Sequence, residues 1–358
     1  MAKRAPKPAT DADETDRVDG FPHPRETFRL TGQGEALARA ARAIRAGKPP
    51  QGWLISGPPG VGKATLAYRI ARYMLKYGAG AEGPVDLEVP ANDPVAIQIA
   101  AKSHPGLLVL KRGVNPETGR MMTVLGVDEI RRLAGFFGLT SGAGGWRLAI
   151  IDTADEMNDA AANALLKALE EPPSRAMLLL IANAPGRLLP TIRSRCQRLL
   201  LRPLARGDLD AELARHLPDL AAEERVALER LAGGSLGVAL QIAGGDGLAV
   251  AREADRLIDS AMHPDIAALM TLADRVARMK DGFGTYGAFL VLSLAERIRA
   301  RALADAPGLK PWLDAWDILR RRFAQAGGLH LEPRQTILST ARTLSEAAHT
   351  GSLSRSDA

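Results

Sequence analysis

Between residues 53 and 76 the chain reads Trp53-Leu54-Ile55, then Gly57-Pro58-Pro59-Gly60-Val61-Gly62-Lys63, then a strongly helical run from Ala64 to Lys76. A short apolar strand, a glycine-rich loop and a helix in this order form a phosphate-binding unit. The glycines let backbone N–H groups turn inward, the helix presents its N-terminus to negative charge, and the lysine reaches the outer phosphate oxygens. The core is therefore expected to be a P-loop α/β nucleotide-binding domain, with Gly57, Pro58, Gly60, Val61, Gly62, Lys63, Ala64 and Thr65 around the phosphates. One part of the pattern is missing. A Ser or Thr normally follows the lysine and places a hydroxyl on Mg²⁺, but this position is Ala64. Thr65 comes one residue late, about 100° further around the helix, so metal binding is expected to be weaker than phosphate binding.

The segments around this unit alternate between strands and helices. A helix is expected over Leu37, Ala40, Ala41 and Ile44. Strands are expected at Leu107–Leu110, Leu148–Ile151 and Met177–Ile181, with helices from Asp128, as N-cap, through Phe137 and from about Asn158 to Glu171. Such alternation implies a parallel sheet covered on both faces. Gly78 to Pro105 shows no period and reads as an irregular insertion. Residues 1–26 are polar and carry Pro6 and Pro8, so they read as a disordered leader before a domain over 27–203. After Pro203 helical patterns take over, and the last residues, 347–358, read as a flexible tail.

Composition narrows the functional classes. The 358 residues are 46% hydrophobic and 25% charged, with no run near the roughly 20 apolar residues that a membrane span needs. The N-terminal residues lack the apolar core of a signal peptide, so a cytoplasmic location and no membrane partner are expected. Cys196 is the single cysteine, which removes disulfides and cysteine-based zinc modules. A net charge of +6 suits contact with nucleic acid.

Asp152 ends the apolar strand Leu148–Ile151, where a carboxylate would hold Mg²⁺ through water. The residue after it is Thr153, whose hydroxyl is no general base near neutral pH. Asp155 and Glu156 follow on a different turn. From Pro172 to Gly207 the chain has seven arginines (175, 187, 193, 195, 198, 202 and 206) and no acid. Asn183 stands at a polar strand end just before Thr191-Ile192-Arg193-Ser194-Arg195-Cys196.

The ordered set Gly57–Thr65, Ile151-Asp152-Thr153-Ala154-Asp155, Asn163-Ala164-Leu165-Leu166-Lys167 with Leu169-Glu170-Glu171-Pro172-Pro173, and Ser194-Arg195-Cys196 resembles AAA+ clamp-loader subunits. More narrowly, it resembles the delta-prime family of bacterial DNA polymerase III, over about residues 27–245. The resemblance implies an AAA+ domain (27–203), a small helical lid domain (204–245) and an all-α collar domain (246–346) that joins a hetero-oligomeric ring. It implies partners of the motor (gamma/tau-like) and delta-like kinds, with the sliding clamp and primed DNA met through the complex. It also implies membership of a DNA-directed DNA polymerase, without polymerase activity of its own. Arg195 would be an arginine finger projected into a neighbour's ATP site, and Asn183 would lie near nucleotide.

Three departures from motor subunits point one way. Ala64, Thr153, and Gly237 in Gly234-Ser235-Leu236-Gly237, where motors carry an arginine, each remove a catalytic contact. ATP or ADP remains the expected ligand of the loop, with Mg²⁺ doubtful at Asp152. The zinc-binding cysteines of many relatives are absent between Gly78 and His104, so no zinc site is expected. Arg131 and Arg132, off the apolar face of their helix, are the candidates for DNA phosphates. Cys196, Trp312 and Trp316 read as packing residues. Two other readings stay open: an active AAA+ ATPase in which Thr65 and Asp155 take over the lost roles, and a plain nucleic-acid-binding module.

Overall fold

The computed structural model describes residues 18, 20–113, 122, 124–138, 145–279, 282–326 and 333–353. The expected leader over 1–17 and at 19, and the tail over 354–358, lie outside the described residues. The chain divides into two compact units, Met1–Pro218 with Ala232–Val238, and Asp219–Leu231 with Ala239–Ala358. This division does not fall at 203 or 245.

The first unit is built on five parallel strands, β1 (Gly52–Ser56), β2 (Leu107–Leu110), β3 (Arg147–Ile151), β4 (Ala176–Ala182) and β5 (Gln197–Leu200), in the order β2-β3-β4-β1-β5. Side chains alternate across a sheet, and here both faces are apolar. Trp53, Ile55, Leu148, Ile150, Met177, Leu179, Ile181 and Leu199 point to one core. Helices α1 (Gly34–Arg45), α2 (Lys63–Tyr77) and α3 (Pro94–Ala100) complete it. Leu54, Ala149, Ile151, Leu178, Leu180 and Ala182 point to the other. That face is covered by α4 (Val127–Gly138), α5 (Asp159–Glu170) and α6 (Pro190–Arg195). The parallel α/β domain expected from the sequence is present.

Several local expectations are corrected. The segment 78–105 is not irregular throughout, because Asp93 caps α3 by accepting from Val95 N–H, and Leu87 and Val89 are buried. Asp128 lies inside the first turn of α4 rather than capping it. The short strand β5 carries too little periodicity to stand out among its arginines, yet it pairs with β1 from Trp53↔Gln197 to Ser56↔Leu200.

The leader boundary at 26 is also too late. His23 and Arg25 are buried, and His23 accepts from Arg25 N–H at the head of a 3-10 turn, Pro24–Glu26. The cause lies in α2. Arg72, only 1% exposed, donates to the carbonyls of Arg25 (3.0 Å) and Thr27 (2.9 Å) and stacks 4.4 Å from the Phe28 ring. Arg69 donates to Phe28 O (3.0 Å) and Asp86 O (3.0 Å). Two arginines of α2 thus satisfy backbone carbonyls of the strap formed by residues 25–28.

The next residues of the strap are tied to α7 (Arg206–His216). The Glu212 side chain, 3% exposed, accepts from Thr31 Oγ1 at 2.6 Å and pairs with Arg29 at 2.8 Å and Arg215 at 2.5 Å. Burial works against the charge, but the Thr31 and Arg215 hydrogen bonds and the two guanidinium charges hold the carboxyl below its ordinary value. A depressed carboxyl contributes stability in full above its unfolded value and loses it as pH falls through the folded value. Acidification below about 4.3 is therefore expected to loosen the strap. Glu212→Gln should cost about 1–2 kcal/mol at neutral pH, the partial exposure of both arginines keeping the figure low. It should also flatten the acid limb of the stability curve, which urea unfolding at pH 7 and pH 4 measures.

The second unit is helical. It holds most of α8 (Ala222–Ala232) and α9 (Leu236–Ala243), together with α10 (Gly247–Asp259), α11 (Ile266–Arg278), α12 (Gly282–Leu303), α13 (Leu309–Ala326) and α14 (Pro333–Leu353). Trp316 packs on α13 and donates to Val291 O at 3.1 Å. Gly287 is needed where α12 meets α13, since a Cβ there would lie 2.3 Å from the Phe323 ring. Arg297 binds Asp255 and Asp259, and Arg230 binds Glu296. The tail expected from 347 starts too early, as α14 continues to Leu353 with Ala347 and Ala348 buried. Among the described residues no helix is long and apolar enough to cross a membrane.

Candidate functional site

The carboxyl ends of β1, β4 and β3 lie side by side, so the sheet order brings the glycine loop, Asn183 and Asp152 to one edge. Ligands of open parallel sheets bind at this edge. The loop follows β1 directly. Gly57 has φ 153° and a Cβ there would lie 2.4 Å from Leu201 O, while Gly62 caps α2 in the left-handed region at φ 98°. Both positions require glycine.

Lys63, the first residue of α2, is 5% exposed. Its Nζ donates to the loop's own carbonyls, Gly57 O at 2.9 Å and Pro58 O at 2.5 Å. Burial pushes the ammonium down to about 8, against the charges of Asp152 and Asp155 that raise it. It stays largely protonated at neutral pH and is placed to meet an anion in the loop. The glycine conformations and this cation fit a nucleotide's phosphates.

The metal side of the site fits less well. Ala64 offers no ligand, and Thr65 is buried in α2. The Asp152 carboxylate accepts from Thr153 N–H at 2.9 Å, and Thr153 sits at φ 52°. Asp155 accepts from the backbone N–H groups of Asn183 (3.1 Å) and Ala184 (2.7 Å), tying the turn after β3 to the end of β4. That carboxylate is engaged in backbone hydrogen bonds, which is poor employment for a general base. The Asn183 side chain is exposed beside it.

Two residues of this region carry structure that the motifs do not reveal. Gln33, on the turn before α1, donates to Val61 O (3.3 Å) and Arg202 O (2.8 Å) and accepts from Arg202 N–H (3.2 Å). It staples the loop to the chain beyond β5. Ser235 donates to Pro59 O at 2.8 Å, and Gly237 N–H donates to Gly60 O at 2.9 Å. A Cβ on Gly237 would stand 2.7 Å from Gly60 Cα. Gly237 is thus packed backbone to backbone against the phosphate loop, and only glycine permits that approach.

The remaining candidates lie elsewhere on the unit. Arg195 ends α6, with Nη1 donating to Thr191 O at 3.1 Å and Nη2 lying 2.8 Å from Glu170 Oε1. Its side chain is 38% exposed. Cys196 is buried, which pushes its thiol up to about 11, and it packs as expected. Arg131 and Arg132 are exposed on α4 and pair with Asp128 (2.9 Å) and Glu129 (2.6 Å) on the same helix.

The fold and the site define a P-loop α/β domain, a parallel sheet whose first strand runs through a glycine loop into α2. Residues 32–205 match the family model described as DNA polymerase III, delta subunit. The DNA polymerase III subunit delta' of Pseudomonas aeruginosa is 41% identical over 185 residues, 51% of this chain and 52% of the relative. The DNA polymerase III subunit delta' of Escherichia coli is 33% identical over 204 residues, 57% of this chain and 58% of the relative. The DNA polymerase III subunit gamma/tau of Mycobacterium bovis is 31% identical over 186 residues, 52% of this chain and 30% of the relative. The chain spans about half the length of the delta' relatives it matches.

Proposed function

We propose that this chain is a cytoplasmic clamp-loader subunit of a DNA polymerase III assembly, a stator-like AAA+ protein that completes a neighbour's ATP site in trans. The observation that carries the proposal is a contrast within one domain. Arg195 stands at the surface on the last turn of α6, whereas the chain's own loop lacks the Mg²⁺ hydroxyl at Ala64 and a base at Thr153. A guanidinium is always charged and stabilises charge developing on a transferring phosphoryl group. Residues 204–245 then act as the lid and 246–346 as the collar that holds the ring. Gamma/tau-like and delta-like subunits are the neighbours, and the sliding clamp and primed DNA are met through the complex.

ATP or ADP occupies the loop as a structural ligand in this reading, held by Gly57 to Thr65, with little help from Mg²⁺ at Asp152. Arg131 and Arg132 contact DNA phosphates, since exposed pairs such as theirs cost little to open. The reading as an active motor is weakened by Asp155, whose carboxylate is engaged by two backbone N–H groups.

Reconstitution tests the assignment. The chain should co-elute with gamma/tau-like and delta-like subunits, and omitting it should remove most ATP turnover of the mixture. A mixture equally active without it would refute the assignment. The packing at Gly237 gives a second expectation. Gly237→Arg should not convert the chain into a motor. It should lower the melting temperature by several degrees and weaken nucleotide binding by calorimetry, because its Cβ collides with Gly60 Cα.

A further inference from the structure

We infer that Glu170 is the positioning residue of Arg195, an inference that rests on the reading of Arg195 as a finger acting in trans. Glu170 is the last residue of α5 and Arg195 the last of α6, two helices that pack on each other. The end of α5 presents two negative features to a cation, the Glu170 carboxylate and the negative end of the helix dipole. Arg195 Nη2 lies 2.8 Å from Glu170 Oε1. On the other side, Nη1 donates to Thr191 O, which also accepts from Ser194 Oγ at 3.0 Å.

The guanidinium is therefore held from two directions by atoms fixed to two helices. An arginine side chain is long and flexible, and one on a short terminal turn would otherwise sample many rotamers. A planar guanidinium carries five N–H donors, so these two contacts leave others unused by them on a side chain that is 38% exposed. Arg195 can meet a phosphate oxygen on a neighbour without letting go of Glu170. Exposure matters here in a second way. Glu170 is 49% exposed, so the pair contributes little to stability, and its removal should act on geometry.

The test uses the ring reconstituted with gamma/tau-like and delta-like subunits, with the loop lysines of all motor sites except the one beside this chain replaced. Glu170→Ala should lower kcat about tenfold, as loss of orientation does, at unchanged KM for ATP. Glu170→Gln, which keeps an acceptor, should recover most of the loss. Glu170→Ala combined with Arg195→Ala should be no slower than Arg195→Ala alone. In the isolated chain, nitrogen-15 spectra of Arg195 should show hindered guanidinium rotation that Glu170→Ala releases, with the melting temperature unchanged. If Arg195→Ala slows the site but Glu170→Ala leaves kcat unaltered, raises it, or changes only KM, the positioning role is wrong and the finger stands. If Arg195→Ala itself has no effect, both fall.

Discussion

Arg195→Ala is expected to cut ATP turnover at the neighbouring subunit's site by a factor on the order of 10³ while the ring stays assembled. The size follows from what such a guanidinium does. It meets charge that grows on the phosphoryl oxygens only as the transition state forms, so its loss falls on kcat rather than on nucleotide binding. Assembly should be untouched because Arg195 is a half-exposed residue on a short helix whose one buried side chain is Ile192. The Thr191 carbonyl it leaves keeps the Ser194 hydroxyl as a partner. Steady-state kinetics on the ring with one competent motor site, alongside size-exclusion chromatography, measures both halves of the expectation. Arg195→Lys should recover little, since an ammonium cannot hold two partners in one plane.

Arg72→Met is expected to destabilise the first unit strongly, costing about 3–5 kcal/mol. Each hydrogen bond from a charged group contributes roughly 1.5–3 kcal/mol, and Arg72 makes two, to Arg25 O and Thr27 O. Methionine matches the apolar stem but withdraws the donor from the buried Arg25 carbonyl and the part-buried Thr27 carbonyl. Burial, with Arg69 next to it, already pushes the Arg72 guanidinium down to about 10, so the site tolerates the cation only because the strap's carbonyls solvate it. Losing the strap has a further consequence, because the same segment leads through Leu30 and Gln33 to the phosphate loop. Chemical unfolding of the variant and the parent followed by far-ultraviolet circular dichroism measures the loss, and nucleotide affinity should fall with it.

The contrast between these two arginines shows what could be read from the sequence. Arg195 announces itself because it belongs to a contiguous motif beside other contiguous motifs. The strand, loop and helix around Lys63 are legible for the same reason, as are β3 and β4, whose apolar runs are continuous. The hold of Arg69 and Arg72 on the strap is silent, since the partners there are backbone carbonyls 41 to 47 residues away in the chain and no side-chain pattern encodes a carbonyl. Gln33 and Ser235 are silent on the same grounds. Glu170 was visible as a letter in a motif, but its meeting with Arg195 depends on how two helix ends converge. β5 escaped because four residues with two exposed positions carry almost no periodicity, while α3 was hidden by the Gly- and Pro-rich stretch around it. The strap reads as leader in the sequence because polarity alone does not distinguish solvated residues from residues held by buried cations.

The Gly237 contact sharpens what the departures from motor subunits mean. Read as letters, Ala64, Thr153 and Gly237 are three absences. In the fold, Gly237 also makes a positive contact, its N–H bonded to Gly60 O, in a backbone approach that any side chain would spoil. That contact fixes the phosphate loop against the backbone at Gly237.

ATP turnover by the isolated chain, with Mg²⁺ and primed DNA present, tests the central claim most directly. The expected result is a rate at background that Lys63→Ala does not change, with turnover appearing only when the motor subunits are added. A steady rate from the chain alone that Lys63→Ala abolishes would contradict it and make this protein a motor.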